Sequence, residues 1–109
     1  MEISLSTWVV IEEGVKKTAF GTVTLIIQDA VLLQIDIAEK IRLVRGEQPK
    51  RPVPASFDSS SFRRRITKTL QGLRFGEVVI VVKDNSVVQI EKLEKYRINE
   101  MDGLYGAGI

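Results

Sequence analysis

Apolar and polar residues alternate with the two-residue period of β-strands in two stretches of the chain. In the first stretch, Val23, Leu25 and Ile27 fall on one face. A turn-like segment follows each stretch, at residues 28–31 and 83–86, and a second alternating run follows each turn. The pattern therefore predicts two β-hairpins.

The two predicted turns differ in their chemistry. The Asp-Asn pair at 84–85 suits a tight turn because both residues tolerate left-handed backbone, whereas the Asp-Ala pair at 29–30 is weaker. After the first turn, strict alternation places Leu33 and Ile35 on one face and Leu32 on the other.

A helix is predicted before the second hairpin, where apolar residues recur at helical spacing. The serines at 59–61 are candidate N-cap residues, and Gly72 suits the position just beyond the helix C-terminus. The residues on the predicted apolar face are Phe62, Ile66, Leu70 and Leu73.

The first hairpin is preceded by a weaker helical pattern. Trp8, Ile11 and Val15 line one helical face, and Ser6 or Thr7 is a candidate cap, but β-branched residues and a glycine interrupt the segment. A repeat in the chain supports the helix, because what precedes the second hairpin should also precede the first.

The repeat has a constant offset of 55 residues. Residues 20–43 and 75–98 share nine identities in 24 gapless positions, among them Gly21 and Gly76 at the junction of helix and strand. A glycine at this point in both copies predicts positive φ or a close backbone approach. The repeat also implies pseudo-two-fold symmetry.

These elements predict an α+β fold in which two α-β-β repeats form an intramolecular pseudo-dimer, with an antiparallel sheet and both helices on one face. The first repeat is assigned to residues 1–43 and the second to 61–98. A Pro/Ser-rich linker at 44–60 joins them, and a flexible Gly-rich tail occupies 99–109. Two hairpins packed face to face, or a second molecule covering the sheet, are the alternatives.

The chain contains no Cys and no His, which restricts its chemistry. Disulfides are excluded, and the commonest general base and soft metal ligands are missing. A unit of about 40 residues rarely folds alone without such supports, so association of the two copies is the remaining route to a core. No apolar run approaches the roughly 18 residues that span a bilayer, and the N-terminus lacks a basic signal-peptide region. We expect a cytoplasmic protein with no metal, no cofactor and no membrane association.

A string of Phe-Gly-x-Val, an aliphatic strand, an Asp-containing turn, Gln-Ile and Glu-Lys-x-Arg follows each predicted helix. This string, together with the helix before it at residues 8–43 and 62–98, resembles the YezD-like family of small bacterial proteins. The chain departs from that pattern at the turn glycine, replaced by Ala30 and Asn85, and in having two copies of a unit that is usually single. The resemblance implies the fold unit and a bacterial origin, and it supplies no catalytic residues.

Carboxylates are the remaining candidates for catalysis. Asp29 and Asp84 lie at turns, where aspartate commonly caps its own backbone. Asp36 and Glu91 occupy matching strand positions, where pseudo-symmetry could bring them together, but a solvated strand face is the favoured explanation. The residues therefore predict that the protein is not an enzyme.

The second helix is strongly basic. Residues 61–98 carry nine Lys/Arg against four Asp/Glu, whereas residues 1–43 carry four against six. Such a helix can lie along phosphates, but a solvated helix face accounts for the same charges, and few aromatic residues are available for stacking. The candidate nucleic-acid contacts are Arg63, Arg64, Arg65, Lys68 and Arg74.

The sheet face turned away from the helices is the main candidate for binding. This face is half apolar, which is more than a solvated face requires, and strict alternation assigns Leu32 and Val87 to it. A glutamine recurs there in both copies, explained either by a cross-strand ladder or by a two-fold-symmetric polar site for a ligand or partner. The candidate interaction residues are Thr24, Ile26, Gln34, Val79, Val81 and Gln89.

Together these patterns predict a binding or regulatory module that associates with a partner protein or with another copy of itself. Nucleic-acid binding through the second helix is the alternative. No pattern in the chain identifies a small-molecule ligand.

Overall fold

The computed structural model describes residues 1–41, 43, 57–96 and 98. Most of the predicted linker at 44–60 and all of the predicted tail at 99–109 lie outside the described residues. The six elements are α1 (Leu5–Lys17), β1 (Gly21–Gln28), β2 (Val31–Glu39), α2 (Ser59–Leu70), β3 (Gly76–Lys83) and β4 (Ser86–Glu94). This order confirms the two predicted α-β-β units.

The four strands form one antiparallel sheet in the order β2-β1-β3-β4. The two copies meet where β1 pairs with β3, and Thr24 lies opposite Val79 at the centre of that pairing. These two residues are separated by the repeat offset, so a pseudo-two-fold axis passes between them. The single sheet excludes the alternative in which the hairpins pack face to face.

Both helices cover the same face of this sheet, and the core is drawn from both copies. Burying each large aliphatic side chain contributes about 1.5–3 kcal/mol, and each copy supplies only part of this buried set. The predicted apolar faces of both helices are buried, as are alternate residues of the two central strands. The buried apolar residues are Trp8, Ile11, Val15, Val23, Leu25, Ile27, Phe62, Ile66, Leu70, Leu73, Val78, Ile80 and Val82.

The helix caps correct two predictions. The side chain of Ser4 accepts a hydrogen bond from the Thr7 N–H, so neither Ser6 nor Thr7 caps α1. Likewise Asp58, not a serine at 59–61, caps α2 by accepting from the Ser61 N–H. Both predicted caps fall inside the first helical turn, because an equally good cap residue precedes them. At the other end of α2, Gly72 has a φ of +77°, as predicted for a residue beyond the helix.

The two glycines that begin β1 and β3 are required by a close backbone approach. Gly21 and Gly76 have φ values of +153° and +152°, which residues with a side chain rarely adopt. A Cβ on Gly21 would lie 2.0 Å from the carbonyl oxygen of Ala38, and one on Gly76 would lie 2.0 Å from that of Leu93. The structure thus confirms both explanations that the sequence offered for these glycines.

Each hairpin turn is attached to the other copy. The Ala30 N–H donates to the Arg74 carbonyl at 3.0 Å, and the Asn85 N–H donates to the Ala19 carbonyl at 3.1 Å. Both turns have two consecutive residues with positive φ, and Ala30 has φ +60°. Left-handed backbone costs a residue such as alanine about 1–2 kcal/mol, and the hydrogen bond to the second copy offsets part of this cost.

A β-bulge in each return strand corrects the predicted side-chain alternation. Ile26 pairs with Gln34 and Ile27 pairs with Leu32, which leaves Leu33 as the extra residue. The register of β3 and β4 shifts in the same way, with Val88 as the extra residue. A bulge resets the alternation, so Leu32 and Val87 pack against the core and not on the opposite face as predicted.

Candidate functional site

Three rows of residues cross the four strands on the sheet face turned away from the helices, which we call the open face. The register places all six predicted interaction residues in these rows. The central row contains Asp36, Thr24, Val79 and Glu91. The flanking rows contain Gln34, Ile26, Glu77 and Leu93 on one side, and Ala38, Thr22, Val81 and Gln89 on the other.

The open face has an apolar centre and an acidic character. Ile26, Val79 and Val81 on the two central strands are half-buried in the isolated chain. Three carboxylates, those of Asp36, Glu77 and Glu91, belong to the three rows, and the rows contain no Lys or Arg; the cation of Lys83 lies on the same face of β3, just beyond them. A complementary partner therefore presents apolar groups surrounded by cations.

The paired glutamines of the open face are held by neighbouring carboxylates. The Gln34 Nε2 donates to the Asp36 Oδ1 at 2.7 Å, and the Gln89 Nε2 donates to the Glu91 carboxylate. Each pair lies within one edge strand, so the glutamines do not form a ladder with each other. The structure instead places two equivalent amide–carboxylate pairs at opposite sides of the apolar centre.

The carboxylates considered for catalysis are not brought together. Asp36 and Glu91 end the central row on the two edge strands, about three inter-strand spacings or ~14 Å apart. Asp29 and Asp84 lie in the two hairpin turns with positive φ. Within the described ranges, no three His, Cys, Asp or Glu side chains cluster as metal ligands. Neither of the two described helices has the length and apolar character to cross a bilayer.

Four of the five predicted nucleic-acid contacts are exposed on or beside α2, namely Arg64, Arg65, Lys68 and Arg74. Arg63 differs, because its Nη2 lies 2.7 Å from the Glu12 Oε1 and its Nε lies 3.1 Å from the Glu12 Oε2. Its guanidinium also lies 5.6 Å from the centre of the Trp8 ring. The donors of Arg63 are thus directed into the contact between the helices.

This contact between α1 and α2, which we call the helix seam, was not predicted from the sequence. Glu12 is 5 % exposed and accepts hydrogen bonds from both Arg63 and the Ser59 hydroxyl. The hydrogen bonds from Arg63 hold the pKa of Glu12 below its ordinary value of 4.5, although burial acts in the opposite direction. The sequence signal for this seam is a glutamate beside Ile11 on an otherwise apolar helical face.

The two copies of the repeat have different side chains at the helix seam. Trp8 and Arg63 occupy equivalent positions of the repeat, and the structure brings them into contact with each other. Glu12 corresponds to Thr67 in the second copy. The seam therefore favours pairing of the first copy with the second over pairing of either copy with itself.

Comparison with known families supports the repeat. The model of a family described as an uncharacterized small protein (DUF2292) matches residues 10–43 and again residues 63–98. Each match begins within a helix and runs through the hairpin that follows. Together the matches cover more than half of the chain, so the protein belongs to this family and contains two copies of its unit. No curated protein and no solved structure matches the chain.

Proposed function

We propose that this DUF2292-family protein is a non-enzymatic, cytoplasmic binding module that docks another protein on the open face of its sheet. The observation that carries the proposal is the combination of an apolar centre with three carboxylates and no cation in the same three rows. A solvated sheet face does not require Ile26, Val79 and Val81 at its centre.

The charges of the open face specify the kind of partner. Asp36, Glu77 and Glu91 repel phosphates, so nucleic acid is not expected on this face. The same carboxylates would oppose one another if two copies met face to face, which disfavours self-association through this surface. We propose a protein partner that presents apolar side chains flanked by Lys or Arg.

A charged residue in place of Val79, which lies beside the pseudo-two-fold axis, tests whether the partner docks on the open face. The tagged protein is recovered from its native cells, and the protein bound to it is identified. The affinity of the purified partner is then measured for the wild type and for Val79→Lys. A lysine there leaves a charge buried in the interface, and we expect the affinity to fall by at least about tenfold, equivalent to ~1.4 kcal/mol.

The matched control is Arg64→Glu, which changes an exposed residue on the opposite side of the molecule. We expect this variant to bind the partner as the wild type does, and both variants to unfold at nearly the wild-type temperature. A partner that binds Val79→Lys and wild type equally would show that the open face is not the docking surface.

Nucleic-acid binding through α2 is the second candidate function. Arg64, Arg65 and Lys68 are exposed on this helix. Among the described residues, the one ion pair joins Arg63 to Glu12, so these three cations are not paired with a carboxylate there. If this candidate is the correct one, Arg64→Glu in the same experiment removes bound nucleic acid, Val79→Lys does not, and binding weakens steeply with salt.

We also propose that the protein is a two-copy relative of the YezD-like proteins and has a bacterial origin. The family match supports the two-copy part of this proposal, because it finds the same unit twice. Under this proposal the chain is an intramolecular pseudo-dimer, in which the β1–β3 pairing replaces an association between two single-copy chains.

A further inference from the structure

The two outer edges of the sheet carry side chains of different character at two equivalent positions of the repeat. At the β2 edge, Ile37 corresponds to Lys92 at the β4 edge, and Val10 of α1 corresponds to Arg65 of α2. Ile37 and Val10 are 51 % and 52 % exposed. At these two pairs of positions the repeat is thus apolar beside β2 and basic beside β4, although the order of elements is the same in both copies.

The apolar residues beside β2 come from both the strand and α1. The side chain of Ile37 packs closely on Gly14, because a Cβ on that glycine would lie 2.8 Å from the Ile37 Cδ1. Val10 is one helical turn before Gly14 and shares its face. Leu33, the bulge residue of β2, adds a side chain that is 59 % exposed. The edge strand and the helix above it therefore form one apolar flank.

The outer side of the β2 backbone is also not paired with any residue that the structure describes. The Lys40 N–H donates to the Phe20 carbonyl at 2.8 Å, so residues 40, 38, 36 and 34 direct their backbone groups toward β1. The alternate residues Ile35, Ile37 and Glu39 then direct their N–H and C=O groups away from the sheet. Such a row of unpaired groups is a template for another strand.

We infer that the β2 edge pairs with the β2 edge of a second copy of this chain, giving a two-fold dimer with one continuous eight-stranded sheet. The alternative pairing of two β4 edges would bring Arg65 and Lys92 of one copy against those of the other. Pairing β2 with β4 would leave a free edge at each end and produce open-ended assemblies. Only the β2–β2 pairing is both closed and free of opposed cations.

The charges along β2 also indicate the register. A pairing centred on Asp36 would place this carboxylate opposite its own copy, which is unfavourable. A pairing centred on Ile37 instead places Ile37 opposite Ile37 of the second copy and Asp36 opposite Ala38. The two open faces remain uncovered in this dimer, so the inference does not depend on the proposed protein partner.

Backbone amide exchange on the wild-type protein tests this inference without any substitution. In the dimer, the amides of Ile35, Ile37 and Glu39 are hydrogen-bonded to the second copy and exchange slowly. Their repeat equivalents Ile90, Lys92 and Glu94 exchange rapidly at the free β4 edge. Rapid exchange at both edges, measured at a concentration of about 0.1 mM and above, would overturn the inference.

Light scattering with a pair of matched variants provides the second test. The wild type is expected at twice the 12.2 kDa of one chain, and Ile37→Lys, which copies the residue of the other repeat, is expected at the mass of one chain. Lys92→Ala, the change at the equivalent position of β4, is expected to remain dimeric. A monomeric wild type, or a dimer that Ile37→Lys leaves intact, would contradict the β2 interface. If Ile37→Lys does not fold, the exchange pattern of the wild type decides.

Discussion

Replacing Gly76 with alanine is expected to destabilise the protein by about 3–5 kcal/mol. The added Cβ would lie 2.0 Å from the Leu93 carbonyl oxygen, and this atom belongs to the backbone of the paired strand and cannot rotate away. Relief therefore requires β3 and β4 to separate at the point where the strand begins. Urea denaturation of wild type and variant measures the loss in the free energy of unfolding.

Gly72 provides the matched control for this prediction. It also has positive φ, +77°, but apart from Gly72 itself and its two chain neighbours no described residue has an atom within 4 Å of the position that its Cβ would occupy. Gly72→Ala therefore incurs only the cost of left-handed backbone, about 1–2 kcal/mol. Equal losses for Gly72→Ala and Gly76→Ala would show that the close approach to β4 contributes nothing.

Replacing Arg63 with methionine is expected to produce the second large loss of stability. Methionine preserves an apolar stem beside Trp8, but it leaves the Glu12 carboxylate buried in the helix seam without its cation. Removing one partner of a fully buried pair costs about 3–5 kcal/mol, and the partial exposure of this pair reduces the expected cost of stranding Glu12 to about 2 kcal/mol. Denaturation of wild type and variant at pH 7 measures this loss in the free energy of unfolding.

The effect of Arg63→Met should depend on pH in a defined direction. The pKa of Glu12 is lower in the folded protein than its ordinary value of 4.5, so its contribution to stability is fully present above that value. The contribution is lost as the pH falls from 4.5 through the lower pKa of the folded state. The difference between wild type and Arg63→Met should therefore shrink below pH 4.5.

Arg64 supplies the control for the helix seam, because it is the exposed neighbour of Arg63 on the same helix. Arg64→Met is expected to leave the free energy of unfolding within about 0.5 kcal/mol of the wild type. A difference between wild type and Arg63→Met that stays constant from pH 7 to pH 3 would exclude the Glu12 charge as its cause.

The sequence predicts the elements and the core well because the repeat supplies each pattern twice. The first helix is poorly indicated by its own residues, yet Trp8, Ile11 and Val15 are buried on its predicted face. The two junction glycines were predicted from their recurrence alone, and both have the expected backbone. These features depend on local periodicity and backbone sterics, which are visible in one sequence.

The sequence predicts less well where a feature depends on the pairing of distant residues. Leu32 was assigned to the wrong face because the bulge at Leu33 has no signature in a run of aliphatic residues. The interaction of Glu12 with Arg63 joins residues 51 positions apart, and either residue alone is indistinguishable from a solvated charge. The other open-face residues were assigned correctly, because strict alternation holds within β1 and β3 and within the parts of β2 and β4 that follow the bulges.

We expect the two copies to form one cooperative fold whose shared core neither copy provides alone. The most direct test is to prepare residues 1–43 and 57–98 as separate polypeptides. Each alone is expected to lack a cooperative unfolding transition. An equimolar mixture should recover the native circular dichroism and form a one-to-one complex, because Glu12 of one piece pairs with Arg63 of the other. Cooperative unfolding of either piece as an isolated monomer would show that one copy provides a core without the other.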